Sequence, residues 1–264
     1  MIFKKIILIS CITISLAAPL HSQKTKSSLS AGEQRHAQRG LKNNLYFLAF
    51  INSTITNSGT EKERQIYTEA VQRDLLARTV YMKFQFHEAF TEIKKSQILL
   101  IELMEKLTQR GTAEAISLLN EFAPHVLKSE DRAAKKYISL GYRSANEAGK
   151  VALMADNLPE TNYSIRIYEY IKSLKLAKYA RRYAIIAMIE YQLEPGKKGK
   201  TPYNDYEKTA ELINTYLKDD AERLQDIHSD NYYKFDNNSS CYDMIMSKPE
   251  LEKIPEYEKY RKEE

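Results

Sequence analysis

Glycine and proline are scarce in this chain, which has 8 glycines and 7 prolines among 264 residues. Average usage of these two turn-forming residues is about 7% and 5%, so the chain has few places where it can turn sharply. No segment shows the sustained alternation of apolar and polar residues that is typical of a half-buried strand. The sequence therefore predicts an all-α fold, a bundle or array of long antiparallel helices.

Cysteine is almost absent, because Cys11 and Cys241 are the only two. Cys11 falls within a predicted export signal, so the exported chain keeps one thiol and forms no internal disulfide. A chain of about 240 residues buries roughly 70% or more of its unfolded surface, and its core suffices without a disulfide. Cys241 follows the polar stretch 236–240, and we expect a free thiol in a loop rather than a ligand or a nucleophile.

Residues 1–22 have the order of a secretory signal peptide. Lys4 and Lys5 precede the apolar run 6–20, and small and polar residues lead to Gln23. The run is short for a membrane span. The alternative is a lipoprotein signal, since residues 8–11 (Leu-Ile-Ser-Cys) have the form in which Cys11 is acylated. We favour cleavage before Gln23, because acylation at Cys11 leaves the apolar residues 12–20 as a tether.

The charge balance argues against a nucleic-acid-binding protein. The full chain has a formal net charge of +5, and removal of Lys4 and Lys5 with the signal leaves +3. A nucleic-acid footprint needs a clustered basic patch and a higher isoelectric point.

Histidine is scarce, and the HExxH, GxGxxG, P-loop and GxSxG motifs are absent. The sequence predicts no cofactor, no metal centre and no enzymatic activity, although a carboxylate pair inside the bundle would escape such a search.

The turn-forming residues divide the chain into four parts: the signal peptide 1–22, a polar tether at 23–32, a helical domain at 33–228 and a loosely ordered polar tail at 229–264. The stretch from Glu61 to Arg110 contains neither Gly nor Pro. It predicts one very long helix or two helices joined near 91–96. Gly111 and Pro124 are expected to bound a shorter helix over 112–122.

A tetratricopeptide-like helical repeat is the alternative architecture. Pro124, Pro159 and Pro195 are 35 and 36 residues apart, close to the tetratricopeptide period of about 34. Such a repeat needs a helix break in the middle of each unit. Residues 162–194 contain no Gly or Pro that would make one, so we favour the bundle.

The segment 165–191 carries the candidate ligand-binding surface. At about 100° per residue, a set of tyrosines and cations falls within an arc of about 120° on a helix: Tyr168, Lys172, Lys175, Lys178, Tyr179 and Arg182. The opposite side collects mostly small residues that let a neighbouring helix approach closely: Tyr170, Ser173, Ala177, Ala180, Ala184, Ala187 and Met188. Cations beside phenol rings suit carboxylates or sulfates on a partner. The alternative is an ordinary solvent-exposed helix face on which the aliphatic parts of the lysine side chains cover the tyrosine rings.

Part of this region resembles a known protein family. The segment from Leu140 to Pro195, with Met154-Ala155-Asp156 and the run 178–184 (Lys-Tyr-Ala-Arg-Arg-Tyr-Ala) as its most distinctive pieces, is similar to the spirochaetal outer-membrane surface adhesins. These are exported helical proteins associated with extracellular-matrix ligands such as elastin. The resemblance implies exposure at the cell surface and binding to host proteins, and it transfers no binding residue to this chain.

We therefore expect an exported, non-enzymatic surface protein that binds host extracellular-matrix or plasma proteins. Its partners are proteins, and it associates with the membrane only through lipidation of Cys11 or through a partner. The alternative is a periplasmic helical scaffold without a host ligand. An adhesin is exposed to protease on intact cells, whereas a periplasmic scaffold is not.

Overall fold

The computed structural model describes residues 23–199, 201–235 and 240–261. The predicted signal peptide 1–22 and the candidate lipidation site Cys11 lie outside these residues. Five long helices form the body: α1 (Gln23–Ser58), α2 (Glu61–Met82), α3 (Phe86–Lys128), α4 (Arg132–Asp156) and α5 (Tyr163–Gln192). Four shorter helices follow: α6 (Tyr206–Tyr216), α7 (Ala221–Asn231), α8 (Cys241–Ser247) and α9 (Tyr257–Arg261). The described residues form no strand, and the prediction of an all-α fold is confirmed.

Local signals explain where several helices begin. Thr60 caps α2, because its hydroxyl accepts from the Glu63 amide at 3.3 Å while the Glu63 carboxylate accepts from the Thr60 amide at 2.7 Å. This reciprocal pair satisfies two amides that a helix start leaves free. Asp131 caps α4 in the simpler way, accepting from the Ala134 amide at 3.0 Å.

The long helices alternate in direction. Gly40 and Asn44 of α1 lie against Ile93 and Gln97 of α3, so the residue numbers of these two helices rise together. Gly141 and Ala148 of α4 lie against Ala180 and Ser173 of α5, so the numbers of this pair run in opposite directions. Together with the short connections, these contacts place α1, α3 and α5 parallel, with α2 and α4 running the opposite way. The α2–α3 turn (83–85) and the α4–α5 turn (157–162) point the same way along the bundle, but the α4–α5 turn lies beside residues 39–43 of α1 and 94–97 of α3, whereas the start of α3 lies near Glu33.

Close helix packing forms a core that runs the length of the bundle. Its buried side chains include Ile93, Leu103, Met104, Leu119, Ile171 and Ala184. Gly141 lies at a close approach between α4 and α3, because a Cβ placed there would lie 2.5 Å from Cδ2 of Leu119. The uninterrupted helices, from 22 residues in α2 to 43 in α3, lack the break in each unit that a tetratricopeptide repeat needs.

Helix α3 differs from the prediction. It continues through both Gly111 and Pro124, and the break in the 61–110 stretch lies at 83–85 rather than near 91–96. Buried side chains lie on both sides of Gly111, among them Leu107 and Leu118. Their burial in the core holds the helix together across residues that would end an isolated helix.

The two flanking segments also differ from the prediction. Residues 23–32 are the first part of α1 rather than a tether, since no proline interrupts the helix between Gln23 and Ser58. In the described part of the tail, Ile254 and Tyr260 are buried in one cluster with Ala77 and Val80 of α2, so packing holds this segment against the bundle. Cys241 is a free cysteine as expected, but it is buried at the start of α8 instead of lying in a loop.

Candidate functional site

Helix α5 presents most of the predicted binding residues on one side. Tyr168, Lys172 and Tyr179 are exposed, and Lys175 is partly exposed. Arg182 is also partly exposed, but it donates hydrogen bonds to the carbonyl of Tyr203 and to the side chain of Asn204. Arg182 therefore secures the loop after α5 as well as bordering the surface.

Lys178 does not belong to this surface. Its side chain is only 3% exposed, and its ammonium lies 2.8 Å from the Asp230 carboxylate and 3.1 Å from the hydroxyl of Thr54. Burial lowers the pKa of Lys178 to about 8, against the opposing effect of Asp230. The interpretation of Lys178 as a ligand-binding residue is corrected: it joins α5 to α7 and α1 inside the protein.

Asp230 is the centre of a buried charged cluster. Arg181 pairs with it at 2.6 Å and with Glu114 of α3 at 2.7 Å. Burial by itself raises the pKa of Asp230, but Lys178 and Arg181 outweigh that effect and hold the pKa below its usual value. Two cations and one carboxylate thus tie the end of α7 to the middle of α5.

Helix α1 contributes two aromatic residues that sequence analysis missed, the exposed Tyr46 and the buried Phe50. The ring of Tyr46 stacks near Tyr168 with 5.9 Å between centroids. Its hydroxyl accepts from the Lys175 ammonium at 3.3 Å, and the same ammonium lies 5.5 Å from the centroid of Phe50. More than a hundred residues separate these partners in sequence, so helical periodicity alone could not find them.

Tyr233 completes the surface from the end of α7. It has a positive φ of 57°, and the turn is closed by hydrogen bonds from the Tyr233 amide to Asp230 and from the Lys234 amide to Ser229. Its ring lies 5.5 Å from that of Phe50 and 4.3 Å from the ammonium of Lys178. We call the set Tyr46, Tyr168, Lys172, Lys175, Tyr179 and Tyr233 the aromatic face.

A tyrosine-lined cavity of about 380 Å³ adjoins the aromatic face at Tyr179 and Arg182. Its wall includes Tyr137 and Tyr183, whose rings stack with 6.1 Å between centroids. Tyr203 is held in place by Glu190, which accepts from its hydroxyl at 2.7 Å. The cavity offers aromatic surface and hydrogen-bonding groups, a lining suited to holding a side chain of a partner.

The opposite side of α5 packs as predicted. Ser173, Ala177, Ala180, Ala184 and Ala187 are buried, as is Tyr170, while Met188 is half-buried. The small side chains let α4 lie close, and the carbonyl of Ala180 would be 3.5 Å from a Cβ at Gly141.

Among the residues that the structure describes, no three His, Cys, Asp or Glu side chains are grouped so that they could hold a metal ion. None of the described helices is long and apolar enough to cross a membrane.

Comparisons with known proteins identify the family. A search of curated proteins and a search of solved structures gave no match. The family model described as "Surface protein adhesin OmpL37" matches residues 31–260, which is most of the chain. This match confirms the resemblance that Leu140–Pro195 indicated and extends it over all five long helices. The chain belongs to the OmpL37 family of surface protein adhesins.

Proposed function

We propose that this adhesin binds host extracellular-matrix or plasma proteins through the aromatic face, and that it does so without catalysing a reaction. The observation that supports this most is the set of four exposed tyrosines on one continuous surface, Tyr46, Tyr168, Tyr179 and Tyr233. Tyrosine is enriched among the residues that dominate binding energy at protein interfaces, because it adds a large contact area at low entropic cost.

The aromatic face is preorganised for binding. The hydroxyl of Tyr168 donates to Asn43 at 3.3 Å, and Tyr46 is held between Tyr168 and Lys175. The buried Asp230 cluster fixes the turn that carries Tyr233. Side chains that are already ordered lose little freedom on binding, so more of their contact energy remains as affinity.

The charges on the aromatic face favour an acidic partner. Lys172 is exposed and makes only a long contact of 3.7 Å with Glu169, and Lys175 interacts with rings rather than with a carboxylate. Carboxylates or sulfates of a host protein could approach both ammonium groups while its apolar groups cover the tyrosines. Arg182 and the tyrosine-lined cavity lie at the edge of the same contact area.

Removal of two rings from the aromatic face tests the proposal. Binding of Tyr46→Ala/Tyr168→Ala to immobilised elastin, laminin and fibrinogen is compared with binding of Tyr142→Ala, which removes an exposed tyrosine of α4 outside this face. We expect the double variant to lose roughly tenfold or more in affinity for the bound protein, because a binding hot spot contributes more than about 1 kcal/mol. Equal affinities for the double variant and the control would disprove a role for this face.

We also propose export through residues 1–22 and display on the outer membrane. Cleavage before Gln23 is favoured, and acylation of Cys11 remains the alternative attachment. Protease treatment of intact cells, with a periplasmic protein as control, tests the display. Digestion of this chain while the control survives supports it. Protection until the outer membrane is opened would instead indicate a periplasmic scaffold.

A further inference from the structure

The tyrosine-lined cavity contains cations but no carboxylate. Lys136 of α4 and Arg182 of α5 line it together with the tyrosines, and no acidic residue among the described ones does. Lys136 is exposed and forms no ion pair or hydrogen bond with a described residue. A concave site whose charged groups all have one sign attracts groups of the opposite sign, so the cavity favours an anion.

The guanidinium of Arg182 has hydrogen-bonding capacity that the protein does not use. Its Nη2 donates to the carbonyl of Tyr203 and, at 3.2 Å, to Oδ1 of Asn204. Its Nε is buried without a hydrogen-bond partner, and its Nη1 makes no hydrogen bond to a described residue. Arg182 therefore brings a positive charge to the cavity wall that no carboxylate pairs with directly.

Two phenol hydroxyls of the cavity are also without partners. Neither Tyr137 nor Tyr183 makes a hydrogen bond through its hydroxyl to a described residue. Burial, and then the neighbouring Glu190, raise the pKa of Tyr137, so its hydroxyl is protonated at neutral pH and can donate. The unused groups of the cavity are thus donors, and acceptor oxygens of a ligand would satisfy them.

The carboxylate of Glu190 lies behind the cavity wall. Its Oε1 accepts from the hydroxyl of Tyr203 at 2.7 Å, and its Oε2 accepts from the amide of Gly199 at 2.9 Å. The side chain is 0% exposed and does not line the cavity. Glu190 offsets part of the positive charge, but an anion that enters the cavity does not come into contact with it.

The walls of the cavity suit an aromatic group. Tyr137 stacks with Tyr183, and Tyr203 meets Tyr137 edge-on with 5.9 Å between centroids. Aromatic rings pack favourably in both of these arrangements. The volume of about 380 Å³ lies within the range of about 300–1,000 Å³ that is typical of ligand sites. A carboxylate by itself would leave most of this aromatic surface uncovered.

We propose that the tyrosine-lined cavity accepts a tyrosine of the host protein that carries an O-sulfate or O-phosphate. Its ring lies against Tyr137 and Tyr183, and its anion lies between Lys136 and Arg182. Both esters present three oxygens that accept charge-assisted hydrogen bonds, and a guanidinium is well suited to donate them. The inference rests on the proposed function, because Tyr179 belongs both to the aromatic face and to the cavity.

Capped tripeptides with glycine on either side of the central residue test the proposal. The central residue is tyrosine, O-sulfated tyrosine, O-phosphorylated tyrosine or glutamate. Each tripeptide is titrated into the isotope-labelled exported chain from Gln23 onward, and the shifts of amide signals in NMR spectra give both the affinity and the location of binding.

We expect at least one of the two esters to bind roughly tenfold more tightly than the tyrosine and glutamate tripeptides, because only an ester combines a ring with the anion. The shifts should lie at 136–140, 179–186 and 201–204. The tighter ester identifies the modification. The proposal is overturned if the tyrosine or glutamate tripeptide binds as tightly as both esters, or if the shifts lie elsewhere.

Two lysines of α4 provide a matched pair of variants. Lys136 and Lys150 are both exposed, but only Lys136 lines the cavity. We expect Lys136→Ala to weaken binding of the ester about three- to tenfold and Lys150→Ala to leave it unchanged, because loss of one charged hydrogen-bond donor has an effect of this size. Equal affinities of the two variants for the ester would overturn the proposal.

The double variant of the aromatic face separates this inference from the proposed function. Tyr46 and Tyr168 do not line the cavity, so Tyr46→Ala/Tyr168→Ala should weaken binding of the host protein and leave ester binding unchanged. A cavity without preference for the esters contradicts the inference alone. An unchanged affinity of the double variant for the host protein contradicts the proposed function.

Discussion

The guanidinium of Arg181 and the carboxylate of Asp230 form an ion pair of 2.6 Å in which both side chains are almost completely buried. A buried carboxylate is costly without partners, and Asp230 also accepts from Lys178 and Thr54. These bonds join α1, α5 and α7 at one point beneath Tyr233. The polar cluster therefore determines the geometry of the aromatic face that lies above it.

Neutralising Asp230 should destabilise the fold strongly. Asp230→Asn keeps the size of the side chain but leaves Lys178 and Arg181 buried with too little negative charge. Breaking a buried pair in this way costs roughly 3–5 kcal/mol of unfolding free energy. Urea denaturation measures the loss, with Glu121→Gln as the matched control, because Glu121 pairs with Arg223 at the surface and a surface pair contributes only about 0–1 kcal/mol. Similar losses in both variants would show that the Asp230 cluster is not a special source of stability.

The same cluster predicts how stability depends on acid. Burial raises the pKa of Asp230, but Lys178 and Arg181 lower it by more than burial raises it. The pKa in the folded chain therefore lies below the unfolded value of about 3.9. As the pH falls through that range the unfolded chain binds a proton that the folded chain does not, and the contribution of Asp230 to stability is lost. Urea midpoints between pH 6 and pH 3 should fall more steeply for the parent chain than for Asp230→Asn. Parallel curves would contradict this assignment.

Two glycines of α4 should respond oppositely to alanine. A Cβ at Gly149 meets no atom within 4 Å, so Gly149→Ala should raise the unfolding free energy by about 0.5–1 kcal/mol through helix propensity. A Cβ at Gly141 would lie 2.5 Å from Cδ2 of the fully buried Leu119, so Gly141→Ala should lower it by roughly 1–3 kcal/mol. Thermal unfolding of the two variants tests the packing of α4. An equal gain in both would mean that α4 lies farther from α3 than described.

Reversing the charges of the aromatic face should slow association with an acidic ligand. For Lys172→Glu/Lys175→Glu we expect roughly tenfold slower association at low salt, with a smaller change in the dissociation rate, because peripheral charges act mainly on encounter. The difference should shrink as salt is added. Surface plasmon resonance on the immobilised host protein measures both rates, and Lys208→Glu, an exposed charge on α6, is the control. A salt-independent defect would indicate direct contacts rather than electrostatic attraction.

Helix α5 shows what helical periodicity can and cannot predict. It placed the small residues of α5 on the buried side and Tyr168, Lys172 and Tyr179 on the exposed side. It also placed Lys178 on the exposed side, which is wrong, because α7 covers that part of the helix and supplies Asp230. Periodicity locates the faces of one helix, but the position of a neighbouring helix decides which part of a polar face is covered.

Helical periodicity could not predict the packing of the tail or the aromatic residues that lie beside α5. Residues 229–264 are rich in polar groups, and only contacts with distant helices bury Cys241, Ile254 and Tyr260. The family match likewise extends well beyond the segment from Leu140 to Pro195 in which the resemblance was noticed. Tyr46 belongs to the aromatic face, and Phe50 contacts it, only because α1 lies beside α5.

The sequence by itself determined that the chain is helical, free of disulfides and built from long elements, because few Gly and Pro residues interrupt it, cysteine is almost absent and no segment alternates apolar and polar residues. It also indicated the adhesin family from one segment. Only the tertiary structure decided that α3 continues through Gly111 and Pro124, that Lys178 is internal, and that Phe84 and Tyr233 take left-handed positions. The physical reason is the same in each case. The local sequence is compatible with more than one backbone conformation or degree of burial, and packing against residues that are distant in sequence decides which of them has the lowest free energy.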